Sequence, residues 1–293
     1  MKRIGFIGVG VMGKSMVRNL MKNGYPVSIY TRTRSKAVDV IEEGAIWYDS
    51  IAQCVRNSEV VITIVGYPKD VEEIYFGEKG ILANAVSGTY LIDMTTTSPK
   101  LSKHIYDAAA KKNMFALDAP VSGGDTGARN ATLSIMVGGD REAFDACYPI
   151  FQAMGTNIIY EGPAGFGQHT KMANQIAIAG ALSGVCEALA YGKKFGLNLQ
   201  TMLDSISAGA AGSWQMNNLA PRILKEDFAP GFYIKHFIKD MTIAVEEAEG
   251  VNLKLAILKD VLKMYKELAD NKGLEDLGTQ ALIKYYDDSQ PFV

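Results

Sequence analysis

The first half of the chain alternates short apolar runs with stretches that carry helix signals. The runs are continuous rather than alternating in polarity, which is typical of parallel strands covered on both faces. Strand–helix alternation of this kind predicts a doubly wound α/β sheet. The predicted strands are residues 4–7, 27–30, 60–65, 90–93, 114–117 and 133–137.

Helix-start signals lie between these runs. Ser35 is expected to cap a helix that ends near Gly44, and Asp140 to cap one that runs through Phe151. Ser98 is a cap residue followed by proline at the first helical position. These signals place a helix after most of the predicted strands.

The pattern changes after about Gly162, where strand-like runs give way to long helical stretches. Residues 168–195 contain no proline and are followed by Gly196, a residue type that commonly ends helices. A helix of that length would extend for roughly 40 Å. The pattern therefore predicts two domains, 1–163 and 164–293, with an all-α C-terminal domain and a long interdomain helix.

Composition excludes several classes of protein. Thirty basic and thirty-two acidic side chains give a net charge of −2, which argues against nucleic-acid binding. Three cysteines and three histidines are dispersed, so we expect no metal site and no disulfide framework. The glycine-rich N-terminus is a poor signal peptide, and residues 172–189 look too polar for a membrane span. We expect a cytoplasmic protein without a membrane partner.

The segment 8–13, GVGVMG, matches the dinucleotide-binding pattern GxGxxG. It follows the first predicted strand and opens a helical stretch, which is the context that the pattern requires. Gly8 permits a tight turn, Gly10 lets a pyrophosphate approach, and Gly13 allows close helix packing. With Val11 and Met12 at the helix N-terminus, this segment predicts a Rossmann-type cofactor site; the alternative is a glycine-rich turn without a ligand.

The end of the second strand bears on the choice of cofactor. NAD-binding proteins usually carry an acidic residue here, whereas this chain reads Thr31, Arg32 and Thr33. A guanidinium and two hydroxyls suit a 2′-phosphate. We therefore predict that NADP(H) is preferred and that NAD(H) is possible, the alternative being a solvated basic loop.

Two further segments carry candidate chemistry. Residues 118–124, DAPVSGG, leave a strand in a tight, hydroxyl-bearing turn that could hold an anion or could be structural. Lys171, Asn174 and Gln175 have helical i, i+3 and i+4 spacing and so share one face. They could hold a polar substrate or form a solvated patch.

Taken in order, four blocks resemble the β-hydroxyacid dehydrogenase family, which includes 3-hydroxyisobutyrate dehydrogenases and 2-hydroxy-3-oxopropionate (tartronate semialdehyde) reductases. The resemblance covers essentially the whole chain. The blocks are the glycine motif at 8–13, the substrate block at 118–124, the lysine block at 165–174 and the PGF…KD block at 230–240.

The resemblance implies a role for each matching residue. Lys171 would be the catalytic lysine, and the substrate would lie near Ser122, Gly123, Gly124, Asn174, Gln175 and Phe232. The cofactor would also contact Val65, Gly66, Thr95, Thr96 and Lys239. Members are commonly dimers or tetramers, so a homodimer or homotetramer is expected.

The implied function is hydride transfer between NADPH and a small carboxylate-bearing semialdehyde or 3-hydroxy acid. Gln175 departs from the asparagine of many members and is closer to the tartronate semialdehyde reductases. The loop at Val65 and Gly66 also departs from the family pattern. The alternatives are an imine reductase, against which Lys171 argues, and a non-catalytic NADP-binding protein.

Overall fold

The computed structural model describes residues 2–286. The chain forms two compact units, Met1–Lys171 and Met172–Val293, which are termed the first and second unit. The boundary falls inside a long helix, directly after Lys171. The two units are described separately.

The first unit contains a nine-stranded sheet with the order β3-β2-β1-β4-β5-β6-β8-β7, in which β9 pairs with β8. The pairings among β1 to β6 are parallel. The strands are β1 (Ile4–Ile7), β2 (Val27–Tyr30), β3 (Ile46–Trp47), β4 (Val60–Thr63), β5 (Tyr90–Asp93), β6 (Phe115–Asp118), β7 (Val121–Ser122), β8 (Leu133–Gly139) and β9 (Gly155–Gly162).

The helices of the first unit connect these strands and cover the sheet. They are α1 (Val11–Lys22), α2 (Val38–Glu42), α3 (Ile51–Val55), α4 (Pro68–Phe76), α5 (Ile81–Asn84), α6 (Pro99–Ala110), α7 (Gly124–Asn130) and α8 (Arg141–Gln152), with a 3₁₀ helix at Arg34–Ala37.

Side chains from the central strands alternate between two cores. Phe6 and Ile62 pack in the core on one face of the sheet, whereas Ile7 and Val61 pack in the core on the other. When a strand is buried on both faces, side chains on both sides are apolar. The sequences of these segments are therefore continuous apolar runs.

The second unit is helical, and its core is filled by residues such as Leu189, Phe237 and Tyr265. The phenol of Tyr265 donates to the carbonyl of Thr279 over 2.7 Å, which satisfies its only polar atom inside the core. Its elements are α9 (Phe166–Lys194, which begins in the first unit), α10 (Leu199–Ser207), α11 (Trp214–Asn218), α12 (Ala220–Leu224), α13 (Ile234–Glu249), α14 (Ala256–Lys272) and a 3₁₀ helix at Thr279–Tyr285.

The predicted fold class is confirmed: a sheet dominated by parallel strands is followed by a helical region with one long helix. Three strands were missed, β3, β7 and β9, and β8 runs antiparallel to β6. Strands β3 and β7 have two residues each, and β9 is half exposed, so none forms a buried apolar run. The domain boundary at 163/164 stays a prediction.

The capping predictions have mixed outcomes. The Ser98 hydroxyl accepts from the backbone N–H of Leu101, as expected for a helix cap. Ser35 is wrong as a cap, because it lies inside the 3₁₀ helix that precedes α2. Asp140 precedes α8 but accepts instead from the Tyr106 hydroxyl over 2.7 Å.

Two further features bear on the sequence predictions. The expectation that residues 172–189 are too polar for a membrane span is wrong by composition: among residues 2–286, α9 is long and apolar enough to cross one, a test that buried core helices also pass. All three cysteines, Cys54, Cys147 and Cys186, are buried.

Candidate functional site

The glycine segment forms a turn between β1 and α1. Gly8 has a φ of +102°, and a Cβ there would lie 2.0 Å from the carbonyl oxygen of Ile64. A Cβ on Gly13 would lie 2.0 Å from the carbonyl oxygen of Gly8. Only glycine fits at these two positions, because the turn, the helix and the neighbouring strand end approach one another at backbone distance.

Gly10 differs from both, because a Cβ built on it meets nothing within 4 Å. The N-terminus of α1 begins directly after it, at Val11, which is 65% exposed. This combination is an open backbone surface at a helix N-terminus, where unpaired N–H groups and the helix dipole favour an anion. The turn therefore fits the pyrophosphate of a dinucleotide.

The ends of β1, β4 and β5 are neighbours in the sheet, and hydrogen bonds join the loops that follow β4 and β5. The backbone N–H of Val65 donates to the Thr95 hydroxyl over 3.0 Å. The Thr95 N–H in turn donates to Oδ1 of Asp93 over 3.1 Å. Three predicted cofactor segments, at Gly8, Val65 and Thr95, thus meet at one edge of the sheet.

Asp93 organises this edge from inside the protein. Its Oδ1 accepts from Thr95 N–H and also from the Thr63 hydroxyl over 2.8 Å. Its Oδ2 has no hydrogen-bond partner and lines a small cavity with Ser102, whose hydroxyl is also unpartnered. Burial raises the pKa of the Asp93 carboxyl to about 6, and the hydrogen bonds from Thr95 and Thr63 oppose that rise.

We expect Asp93→Asn to stabilise the protein at pH 7 by about 2 kcal/mol. A pKa raised from about 4 to about 6 means that the folded state binds the proton more tightly than the unfolded state. The stabilising contribution of Asp93 is therefore fully present below about pH 4 and is lost as the pH rises through about 6. An asparagine side chain keeps an oxygen that can accept from Thr63 and Thr95, and it is neutral at every pH of the experiment.

Urea unfolding of both proteins between pH 4.5 and 8 measures this difference, which should shrink as the pH falls. Asp145→Asn is a suitable control, because Asp145 is exposed and pairs with Arg141 on the surface. A constant destabilisation by Asp93→Asn at every pH would contradict the assignment.

The basic loop after β2 contains Thr31, Arg32 and Thr33, of which Arg32 is 75% exposed. Its guanidinium forms an ion pair with Asp70 over 3.1 Å. Asp70 also accepts from the backbone N–H of Tyr67 at the start of α4. Asp70 therefore orients Arg32 and ties the loop to α4, a role that sequence reasoning missed.

The helix that carries Lys171 is anchored at its start by Asp118. One carboxylate oxygen accepts from the N–H of Gly165 over 2.7 Å, and the other accepts from the N–H of Gln168 over 2.9 Å. A Cβ on Gly167 would lie 2.4 Å from the carbonyl oxygen of Met136, so the first turn lies directly against the sheet. Burial raises the pKa of Asp118, and these two N–H donors oppose the rise.

Gln168 makes a second connection from the same turn. Its Oε1 accepts from the N–H of Thr97 over 3.0 Å, and its Nε2 donates to the carbonyl of Thr95 over 2.7 Å. Sequence reasoning did not single out Gln168, because a buried glutamine that bonds only backbone atoms has no local pattern. Lys171 follows one turn later and is only 6% exposed.

The segment after β7 makes the sharp turn expected from its glycines. Gly123 has a φ of +128° and Gly124 a φ of +63°, a backbone conformation that other residues rarely adopt. Ser122 ends β7 and is half-buried, and Thr96 is half-buried in the loop after β5. The turn thus exposes backbone at Gly123 beside a serine hydroxyl.

In the second unit, Asp240 joins three predicted site residues. It accepts from Gln175 Nε2 over 2.6 Å and pairs with the Lys239 ammonium over 2.9 Å. Asn174 Nδ2 donates to Gln175 Oε1 over 2.7 Å. Asp240, which is 1% exposed, was present in a recognised block but had no predicted role.

Phe232 has a different environment from these polar groups. It is half-buried and contacts Phe237 edge to face, with ring centroids 5.7 Å apart. Over residues 2–286, no cluster of His, Cys, Asp and Glu has the arrangement of a metal site.

Comparisons with known proteins identify both parts of the chain. Residues 3–162 match the family described as the NAD-binding domain of 6-phosphogluconate dehydrogenase. Residues 165–286 match the family described as NAD-binding of NADP-dependent 3-hydroxyisobutyrate dehydrogenase.

Individual relatives match over nearly the full length. An uncharacterised oxidoreductase of Bacillus subtilis is 57% identical over 97% of this chain and 99% of its own. The 3-hydroxyisobutyrate dehydrogenase of Pseudomonas aeruginosa is 33% identical over 97% and 99%. The solved structure of Mycobacterium tuberculosis 3-hydroxyisobutyrate dehydrogenase with L-serine has a TM-score of 0.90 and 30% identity, covering 97% of this chain and 98% of that one. The chain therefore belongs to the β-hydroxyacid dehydrogenase family of nicotinamide-dependent oxidoreductases that act on a hydroxyl group.

Proposed function

We propose that the protein transfers hydride between NADPH and a small carboxylate-bearing semialdehyde or 3-hydroxy acid, with Lys171 as the proton donor and acceptor. The observation that carries this proposal is the burial of Lys171, at 6% exposure, one turn into a helix whose start is fixed by Asp118 and Gln168. A buried ammonium held by a rigid element is suited to stabilise charge on a reacting oxygen.

The names of the relatives support the substrate class. Both 3-hydroxyisobutyrate and L-serine, which appear in those names, are small carboxylates with a hydroxyl group on carbon 3. Oxidation of that hydroxyl gives a semialdehyde. Many family members have asparagine at the position of Gln175, whereas tartronate semialdehyde reductases are closer to this chain there. We therefore include tartronate semialdehyde among the proposed substrates.

The bound cofactor supplies the hydride. As negative charge builds on the carbonyl oxygen, the Lys171 ammonium stabilises it and donates a proton. The reverse direction requires the neutral amine as base, so oxidation of the hydroxy acid is favoured at alkaline pH. Lys171 is thus the group that moves the proton in both directions.

Other residues orient the substrate. The Ser122 hydroxyl and the N–H groups of the turn at Gly123 and Gly124 hold the carboxylate, which fixes the carbonyl that reacts. Asn174 donates its amide N–H to Gln175, so its amide oxygen is the atom that accepts from a substrate hydroxyl. Phe232 contributes apolar surface beside the substrate.

Most of the proposed cofactor contacts come from the loops at one edge of the sheet. The turn formed by Gly8, Gly10, Val11, Met12 and Gly13 would hold the pyrophosphate, and Lys239 would contact the nicotinamide end of the cofactor. Further contacts come from Val65, Gly66, Thr95 and Thr96, and the adenosine 2′-phosphate binds Thr31, Arg32 and Thr33.

The test is the rate of NADPH oxidation with a panel of small aldehydes. Tartronate semialdehyde and methylmalonate semialdehyde should be reduced, whereas propanal, which lacks the carboxylate, should react at least about 100-fold more slowly in kcat/KM. Reduction of propanal as fast as the carboxylate-bearing aldehydes would contradict the substrate assignment.

Arg32→Ala should lower kcat/KM for NADPH by about 10- to 100-fold and leave the value for NADH nearly unchanged, since a charge-assisted phosphate contact contributes roughly 1.5–3 kcal/mol. Arg141→Ala is the matched control, because Arg141 is similarly exposed and pairs with Asp145 within α8. If Arg32→Ala lowered kcat/KM equally for NADPH and NADH, Arg32 would not be a contact to the 2′-phosphate.

A further inference from the structure

We propose that Gln168 is a positioning residue that couples the loop after β5 to the start of the helix carrying Lys171, so that binding of the cofactor sets the position of the lysine. This inference rests on the proposed function of Lys171. It assigns Gln168 a role in the reaction without any contact with substrate or cofactor.

Both polar atoms of the Gln168 side chain are hydrogen-bonded, and the residue is fully buried, with 0% exposure. Its amide oxygen accepts from Thr97 N–H over 3.0 Å, and its amide nitrogen donates to the Thr95 carbonyl over 2.7 Å. Both partners are backbone atoms of one short loop. The helix start and the loop therefore cannot move apart without breaking two buried hydrogen bonds, each costly to leave unpaired.

The loop side of this connection is tied to the cofactor edge. The Thr95 hydroxyl accepts from Val65 N–H, and the Thr95 N–H donates to Asp93, so hydrogen bonds join the loops after β4 and β5. Val65 also borders Gly8, because a Cβ on Gly8 would lie 3.2 Å from its side chain. A dinucleotide bound against these segments would hold them in one arrangement.

The helix side is equally well fixed. Asp118 accepts from the backbone N–H of Gln168 itself, so the backbone and side chain of one residue are both held. Lys171 follows three residues later, which places it about 4.5 Å further along the helix axis. Any displacement of the first turn is therefore passed to Lys171 almost undiminished, and misplacement by about 1 Å can cost as much as 100-fold in rate.

Gln168→Met removes both hydrogen bonds and keeps the length of the side chain. We expect kcat to fall at least about tenfold and the Kd for NADPH to rise about three- to tenfold. In the protein without cofactor, the Thr97 N–H should exchange with deuterium faster, because it loses its partner. KM for the semialdehyde should change less than kcat, because the groups that hold its carboxylate are untouched.

Gln168→Glu gives a second, independent readout. The carboxylate still accepts from Thr97 N–H, but it can donate to the Thr95 carbonyl only when it is protonated. The ratio of its kcat to that of the wild type should therefore rise as the pH falls from 8 to 5.5. The ratio for Gln168→Met should stay flat, since methionine has no proton to gain.

Gln280→Met is the matched control. Gln280 is similarly buried, at 1% exposure, and its Nε2 donates to the backbone carbonyls of Asp227 and Ala229. Gln280→Met should lower the free energy of unfolding about as much as Gln168→Met does, but it should leave kcat and the Kd for NADPH unchanged.

The proposal is overturned if Gln168→Met exchanges faster at Thr97 yet has wild-type kcat and NADPH affinity, or if the Gln168→Glu ratio does not rise at low pH. The Gln168→Glu measurement still tests the proposal if Gln168→Met does not fold. Failure of the proposed function appears separately, because Lys171→Met would then turn over normally whatever the Gln168 variants do.

Discussion

Lys171→Met should lower kcat by about 1,000-fold while NADPH still binds with nearly wild-type affinity, since a positioned acid–base group contributes roughly 100- to 10,000-fold. Methionine fills much of the same volume without a charge, and Lys171 is buried, so the fold should tolerate the change. Stopped-flow reduction of a semialdehyde measures the rate, and quenching of protein fluorescence by NADPH measures binding.

Lys194→Met is the control for this substitution, because Lys194 is an exposed lysine at the other end of the same helix. It should match the wild type in both measurements. Turnover within about threefold of the wild type in Lys171→Met would remove the lysine from the mechanism and leave the proton without a donor.

The second large effect is expected at Gly10. Gly10→Ala should raise the Kd for NADPH by about 100-fold without lowering the free energy of unfolding by more than about 0.5 kcal/mol. Its φ of −88° suits alanine, and the added methyl group meets no protein atom. The methyl group would instead occupy the space into which the pyrophosphate must come, so the cost falls on binding alone. Calorimetric titration and urea unfolding measure the two quantities.

Gly8→Ala provides the contrast, because its φ of +102° and the 2.0 Å approach to Ile64 make the substitution costly to the fold itself. Gly180→Ala is the neutral control, since a Cβ there also meets nothing within 4 Å and Gly180 lies in the interior of α9, outside the glycine turn. If Gly10→Ala bound NADPH normally, the turn between β1 and α1 would not be the pyrophosphate site.

The central strands could be predicted because burial on both faces leaves a strong local signal. Residues 4–7, 27–30 and 90–93 were predicted with the bounds that the structure gives. Strand β9 has no such signal, since it lies at the rim, pairs with β8 alone and exposes several side chains. Its pairing with β8, which precedes it across α8, leaves no pattern in its own residues.

The residues of the candidate site also differ in how well they could be predicted from the sequence. Glycines at 8, 10 and 13 have a recognisable spacing, so the tight turn between β1 and α1 could be predicted from the sequence. Asp118 and Gln168 act through hydrogen bonds to backbone atoms, 71 residues away in the case of Gln168 and Thr97, and Asp93 bonds both a backbone N–H and the Thr63 hydroxyl. Asp118 and Gln168 lie inside the recognised blocks at 118–124 and 165–174, but those blocks do not show which backbone groups each side chain bonds. Ser35 shows the reverse error, because this residue type favours helix caps but here lies inside the 3₁₀ helix that precedes α2.

The buried cysteines have a practical consequence for chemical labelling. Burial raises the pKa of the Cys54 and Cys147 thiols to about 12, and it raises the pKa of Cys186 as well. Thiolate is the reactive form, so iodoacetamide and maleimides should leave the native protein unmodified. Electrophilic substrate analogues can therefore be used on the native protein without thiol side reactions, and a single cysteine engineered onto the surface would carry a fluorophore selectively.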